Sequence, residues 1–287
     1  MYSAASRNLI AIVAATAILS SCGEKESTKN AKTLLTEAKS AITAKNYDRA
    51  ITLIDSVSKA YPEEIDIRKE AMRLRPDATE GFTIAKLSHA DSLTATLQSR
   101  YDSIARLMVK VDNPELVEGY WVASQGRNPN PMSTNVIEGR VTSNGEFYMV
   151  SSLNPSSLHH HSFSLTDKGG EIASTDVVPY DGEMNYRING GEVVTYMSDD
   201  CKEIGPFAAA HRAEPLTVTF HGEGDKRIRL SAAQTSGLAT TWEFAKTLVE
   251  FRHWSIERER LNRQLAIARD QKARLATDAP TDDRQAD

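Results

Sequence analysis

Apolar positions along this chain change period twice, from helical to alternating and back. Over residues 31–44, Leu34, Leu35, Ala38, Ala41 and Ile42 recur at steps of three and four, which places them on one face of a helix. Lys45-Asn46 interrupts the pattern. It resumes over 47–61 with Ala50, Ile51, Leu53, Ile54 and Val57, and stops at Pro62. A third helix is expected over 63–74, closed before Pro76. Over 83–111, Leu87, Ala90, Thr94, Leu97, Tyr101, Ile104, Met108 and Val111 step alternately by three and four, which predicts a coiled-coil seam held for three heptads. Asn113-Pro114 ends it.

From 119 to 230 the pattern becomes that of strands. Short runs rich in Val, Ile, Thr and Tyr alternate with Gly, Asn, Asp and Pro. The expected strands are 120–123, 136–142, 146–152, 159–165, 184–188, 192–197, 216–221 and 227–230. Asn144-Gly145, Asn189-Gly190-Gly191 and 222–225 read as hairpin turns. One helix interrupts the strands, opened by Gly205-Pro206 and closed by Ala213-Glu214-Pro215. Ser231 and Gln234 then form a capping box, and a last helix is expected over 231–275. Its seam runs Phe244, Thr247, Phe251, Trp254, Arg258, Leu261, Leu265, Ala268, Lys272 and Leu275. Gly237 weakens its first turns by about 1 kcal/mol relative to alanine. Residues 276–287 are polar and read as a disordered tail.

Two heptad helices thus flank one β domain, and the fold class is α+β with mostly antiparallel strands. The first helix enters the domain by its C-terminal end and the second leaves by its N-terminal end. Antiparallel pairing closes this geometry as a stalk of roughly 35–40 Å at 1.5 Å per residue. The excess of the last helix offers a surface for the N-terminal hairpin or for a second copy, a homodimer. Ala38, Tyr47, Ala50, Val57 and Pro62 fall at the offsets of a tetratricopeptide (TPR) hairpin, so residues 31–76 resemble a TPR-like module. Leu34 replaces the large aromatic usual in its first helix. With no second full repeat, packing explains this module better than a peptide groove does.

The N-terminus carries the address. Arg7 is the single charge before an apolar run over 9–19, followed by Leu19-Ser20-Ser21-Cys22. The run is too short to span a bilayer and has the flanks of a cleaved segment. It resembles the bacterial lipobox, which implies a signal peptide over 1–21, a lipidated Cys22 and a polar tether over 22–30. The whole plan resembles uncharacterised lipoproteins of Gram-negative bacteria that join a short helical start, a heptad helix, a small β domain and a long last helix. That resemblance implies a protein anchored by lipid in the cell envelope, but no chemistry. Gly23 stands where aspartate would signal inner-membrane retention, which points to the outer membrane.

Composition narrows the partners. Without 1–21 the mature chain has 266 residues, and loss of Arg7 moves the net charge from −5 to −6. Its charge is spread along the chain, so nucleic acid is not an expected partner. Cys22 and Cys201 are the two cysteines. With Cys22 acylated, Cys201 has no partner for a disulfide and reads as a small semi-apolar residue.

The candidate sites lie in the β domain. His159 and His161 would share one face of a strand and offer two imidazoles, with His221 and Asp181 reachable through the fold. No further ligand is adjacent, and a polar strand face on a sheet edge explains them better, so neither a metal nor a cofactor is expected. Tyr180, Asp181 and Glu183 form a binding rim or a plain Pro-x-Asp-Gly turn. Asp199-Asp200 lacks the alternating ligands of a calcium loop. Tyr120-Trp121, Phe244, Phe251 and Trp254 suit core packing better than sugar stacking. No Gly-x-Ser-x-Gly, His-Glu-x-x-His, phosphate loop or dinucleotide fingerprint is present. The expected function is therefore a non-enzymatic interaction or structural protein with a protein partner in the envelope. A ligand- or glycan-binding lipoprotein using β-domain loops is the alternative. A polar concave pocket would favour that alternative, and buried, mutually bonded His and carboxylate groups would favour an enzyme.

Overall fold

A computed structural model describes residues 25–113, 116–128 and 130–277. The leader, Cys22 and residues 278–287 lie outside the described residues. The chain is mixed α+β and divides into two compact units, residues 1–82 with 267–287, and residues 83–266. Among the described residues no helix is long and apolar enough to cross a membrane.

In the first unit, α1 (Glu26–Thr43) and α2 (Tyr47–Ala60) form a hairpin. Asn46 turns the corner, its Oδ1 accepting the Arg49 amide at 3.3 Å to cap α2. The predicted stripe is the buried one: Leu35, Ala38, Ala41, Ala50, Ile54 and Val57 pack with Ile67, Ala71 and Ala78 of α3 (Ile65–Ala105). Small residues let these helices approach closely. A Cβ on Gly81 would sit 2.3 Å from the Tyr47 ring.

The expected break at Pro76 does not occur. One 41-residue helix replaces the two predicted over 63–74 and 83–111. Proline removes one backbone donor and crowds the preceding turn. Here Pro76 is buried within the helix, on the stretch whose Ala71 and Ala78 enter the core, and that burial offsets the lost donor. The first heptad helix is also shorter than expected. It stops at Ala105, and Met108 and Val111 belong instead to strand β1 (Met108–Asn113). The alternation Val109-Lys110-Val111 satisfies a strand as well as the heptad, and pairing with β2 decides it.

In the second unit, a six-stranded antiparallel sheet has the order β1-β2-β3-β4-β8-β7. Its other strands are β2 (Leu116–Ala123), β3 (Val136–Thr142), β4 (Phe147–Leu153), β7 (Asn185–Ile188) and β8 (Gly191–Tyr196). A four-stranded antiparallel sheet has the order β10-β9-β5-β6, from β5 (Ser162–Thr166), β6 (Ile172–Ser174), β9 (Thr217–His221) and β10 (Asp225–Arg229). Helix α4 (Ile204–Ala210) and the long α5 (Ala232–Thr277) complete the unit. Strands β1 and β6 were not expected. The strand expected over 159–165 begins only at Ser162, so the three histidines lie in the connection before it.

The predicted turn Asn189-Gly190 joins β7 to β8, with φ of +52° and +76°, the left-handed pair that a tight hairpin requires. One core joins both sheets and α5: Met149, Leu153 and Tyr196 meet Phe163, Leu165 and Phe220, with Leu238, Phe244 and Leu248 from the helix. Cys201 lies in this core. Its thiol, pushed up to about 12 by burial, is held as an unreactive S–H that donates toward backbone carbonyls.

The capping box forms as predicted. Ser231 Oγ accepts the Gln234 amide at 3.3 Å, and Gln234 Oε1 accepts the Ser231 amide at 2.9 Å. Within this unit α3 and α5 run side by side in opposite directions. Tyr101 stacks on Phe251, His89 meets the Trp254 ring edge-on, and Asp91 pairs with Arg258 at 2.7 Å. Within the first unit, Glu80 pairs with Arg269, and Glu80 and Asp77 with Lys272.

Gly237 has a tertiary purpose. A Cβ there would lie 2.1 Å from the Gln125 carbonyl oxygen. Propensity alone predicts that Gly237→Ala stabilises the helix by about 1 kcal/mol. The close approach reverses the sign. We expect a loss of about 1–3 kcal/mol, measured by thermal unfolding. A raised melting temperature would show that this loop is free to yield.

Candidate functional site

Four segments of the second unit meet at one edge of the six-stranded sheet. They are the 154–161 connection, the 175–182 segment, the edge strand β7 and the turn at 222–224. Backbone bonds tie them together. The His161 amide donates to His221 O at 3.0 Å, Val178 N to His161 O at 2.9 Å, and Glu223 N to Leu158 O at 2.8 Å. Asn185 is buried among them, and its side-chain amide donates to His160 O and Val178 O. The segments surround an open cleft of about 440 Å³ lined by His159, His161, Tyr180, Asn185, Arg187 and Glu223, among others.

Three of the four binding residues expected from sequence therefore share one cleft. The fourth, Asp181, serves the turn instead. Its Oδ1 accepts the amides of Glu183 and Asn185, each at 2.9 Å. Those bonds, Asn185's foremost, hold its carboxyl below the usual carboxylate range.

The expected shared strand face of His159 and His161 is not formed. His159 has φ of +56°, a left-handed conformation unusual for a residue with a Cβ, which breaks the strand alternation. Its Nδ1 bonds Glu223 Oε1 at 2.7 Å. His161 Nδ1 meets Ser162 Oγ at 3.2 Å. His221 does not join them, since its ring nitrogens are engaged by Asp225 at 2.9 Å and Ser164 at 3.0 Å.

Arg187, on β7, was not foreseen. Its guanidinium lies 4.3 Å above the Tyr180 ring, a stacked cation–π contact. It makes no ion pair among the described residues. The contact holds the guanidinium over the ring while its N–H donors meet no carboxylate among the described residues, so they can take an anion. An arginine on a short edge strand gives no sequence signal of this kind.

Beneath the cleft lies a buried polar network that sequence reasoning also missed. His160 Nδ1 bonds Glu192 Oε2 at 2.8 Å, and His160 Nε2 bonds Ser151 Oγ at 2.8 Å. Glu192 also accepts the His159 amide at 2.8 Å and the His160 amide at 2.9 Å. The Tyr196 hydroxyl lies 3.4 Å from Ser151 Oγ. Burial pushes the His160 imidazole toward its neutral form, against the pull of Glu192. Burial also opposes ionisation of Glu192, but the His160 ring and the two amides outweigh it and hold the carboxyl below its ordinary value. The pair is therefore neutral imidazole on carboxylate.

The connectivity Ser–His–Glu is that of an acyl-transfer triad. Buried, mutually bonded His and carboxylate groups, the arrangement expected to favour an enzyme, are thus present, but Ser151 and His160 are 0 % exposed and Glu192 2 %, so the hydroxyl has no open path to a substrate in this conformation. The network instead clamps the 154–161 connection onto β8 and so positions His159 and His161. A glutamate at the start of an otherwise apolar run (Glu192-Val193-Val194) is the only trace of it in the sequence.

No protein-family model, curated protein or solved structure matches this chain.

Proposed function

We propose that the protein is a non-enzymatic lipoprotein of the cell envelope, anchored through acylated Cys22 and sorted to the outer membrane. Its β module captures a polar ligand carrying an anionic group, such as an acidic sugar, in the cleft at His159, His161, Tyr180 and Arg187. The TPR-like hairpin packs the anchored end. The paired heptad helices act as an antiparallel coiled-coil stalk that presents the module, and exposed Val249 and Ile256, one heptad apart on α5, suit pairing with a second copy or a protein partner.

The observation that carries the ligand reading is the convergence of three sequence-singled residues with an unpaired, stacked arginine in one concave site. The ring, the guanidinium and the imidazoles supply a stacking plane and donors. A hydrogen-bonded charge at such a site contributes about 1.5–3 kcal/mol.

The test titrates the mature chain with glucuronate-containing and neutral oligosaccharides while following NMR signals of His159 and His161. Acidic ligands should shift both, and Arg187→Ala should weaken binding at least about tenfold, as a loss of 1.4 kcal/mol or more requires. Absence of shifts with the acidic ligands sinks the ligand reading. Mass spectrometry of native material showing an unacylated chain with its leader sinks the anchor.

A further inference from the structure

His211 follows the last turn of α4, and its ring rests on Phe207 with ring centres 4.5 Å apart. Its two nitrogens face two carboxylates at the β5–β6 hairpin. Nδ1 lies 4.0 Å from Asp167 Oδ2 and Nε2 lies 3.5 Å from Glu171 Oε2. Both distances exceed a good N–H···O bond, and the ring makes no hydrogen bond among the described residues.

Asp167 is firmly placed, since its Oδ1 accepts the Glu171 amide at 2.7 Å. The side chains of Asp167 and His211 are 9 % and 14 % exposed, whereas that of Glu171 is 74 % exposed. The neighbouring Lys168 is engaged by Glu214 at 3.2 Å. One ligand atom from each of Asp167, Glu171 and His211 lies within 4.8 Å of the other two. Zinc ligands at 2.0–2.1 Å in a tetrahedron stand roughly 3.3 Å apart. The three groups are thus too far apart to satisfy one another and close enough to share an ion once Glu171 swings inward.

We propose that Asp167, Glu171 and His211 bind one divalent transition-metal ion, zinc by preference. Imidazole with two carboxylates is a borderline-to-hard donor set, and affinity for such sites places zinc above manganese and iron. Asp167 and His211 form the fixed base, Glu171 is the closing arm, and water takes the remaining position. Bound zinc pins the β5–β6 hairpin to the end of α4. The site shares no residue with the His159–Arg187 cleft and stands whether or not that cleft binds a ligand.

The test is calorimetric titration of the untagged mature chain with zinc chloride at pH 7.5, paired with thermal unfolding. One zinc per chain is expected, with a melting temperature that rises on zinc addition. Glu171→Gln, an exposed change that leaves folding intact, should weaken binding at least about 100-fold and abolish the thermal shift, as should His211→Ala, because ligand loss costs no less than loss of an outer-shell partner. The His159→Ala/His161→Ala double variant should bind as the wild type does. Absence of zinc binding overturns the proposal, and so does binding that survives Glu171→Gln and His211→Ala or is lost in the double variant.

Discussion

Replacing Glu192 by alanine should destabilise the β module by about 3–5 kcal/mol, because each buried donor left without its acceptor costs about 1–3 kcal/mol. The change strands three donors at once: the His160 ring nitrogen and the amides of His159 and His160. His160 is 0 % exposed, so no water replaces the acceptor that its ring and amide lose. The same network predicts acid sensitivity. His160 is held neutral by burial, so the unfolded chain takes up a proton that the folded chain refuses as pH falls below about 6.5, the ordinary imidazole value. Glu192 is held ionised, so a second such proton enters the unfolded state below about 4.5. Both effects have one sign. Stability is full above about 6.5, declines on acidification, and declines more steeply below about 4.5. Denaturant unfolding at pH 7.5, 5.5 and 4.0 reads this out. In Glu192→Ala the acid step belonging to the carboxylate should vanish. A cost under about 1 kcal/mol, or an unchanged pH profile, would show that the network does not clamp the connection.

The network has a functional consequence as well as an energetic one. His159 adopts its left-handed backbone while its amide is fixed by Glu192. Such a conformation persists where its surroundings over-determine it. The residues that line the proposed ligand cleft are therefore aimed by residues that never touch it.

The sequence makes the periodic elements legible and leaves the encounters hidden. The α1–α2 hairpin stripe, β3 over its full length, the capping box at Ser231 and the Asn189-Gly190 turn follow from local rules, because each is decided by residues within a few positions of one another. Tertiary contacts decide the rest. Pro76 does not end α3, because its ring is buried. Val109-Lys-Val111 leaves the heptad, because β2 offers it a ladder. Gly237 looks like a weakness in α5 until the Gln125 carbonyl is seen above it. The site divides along the same line. His159, His161 and Tyr180 are conspicuous as aromatic polar groups near turns. Arg187, Glu192 and Ser151 are unremarkable until the sheets bring them together, and His211 meets Asp167 and Glu171 only across the fold. The histidine triplet attracted attention for a face it does not form, while its middle member carries the buried bond.

Placing a charge on the packed face of α5 should separate two kinds of apolar residue that the sequence alone does not distinguish. Leu261 is 2 % exposed, and Ile256, five residues earlier on the same helix, is 65 % exposed. Contacts one and two turns before Leu261, Arg258 with Asp91 and Trp254 with His89, show that this face of α5 meets α3. Leu261→Asp removes a buried side chain and installs an ionised group with no room for water. Cavity and desolvation together give an expected loss of about 3–5 kcal/mol. Ile256→Asp carries the same change in charge and a smaller change in helix propensity but meets solvent, so its effect should stay within about 0.5 kcal/mol. Thermal unfolding of the two variants and the wild type, at the same low and high protein concentrations, makes the comparison. If both lose equally little, the two helices are not packed through the heptad face, and the proposed stalk falls with them. If Ile256→Asp instead lowers the melting temperature in a concentration-dependent way, its exposed side chain is covered by a second copy, because a self-associated fold draws stability from protomer concentration.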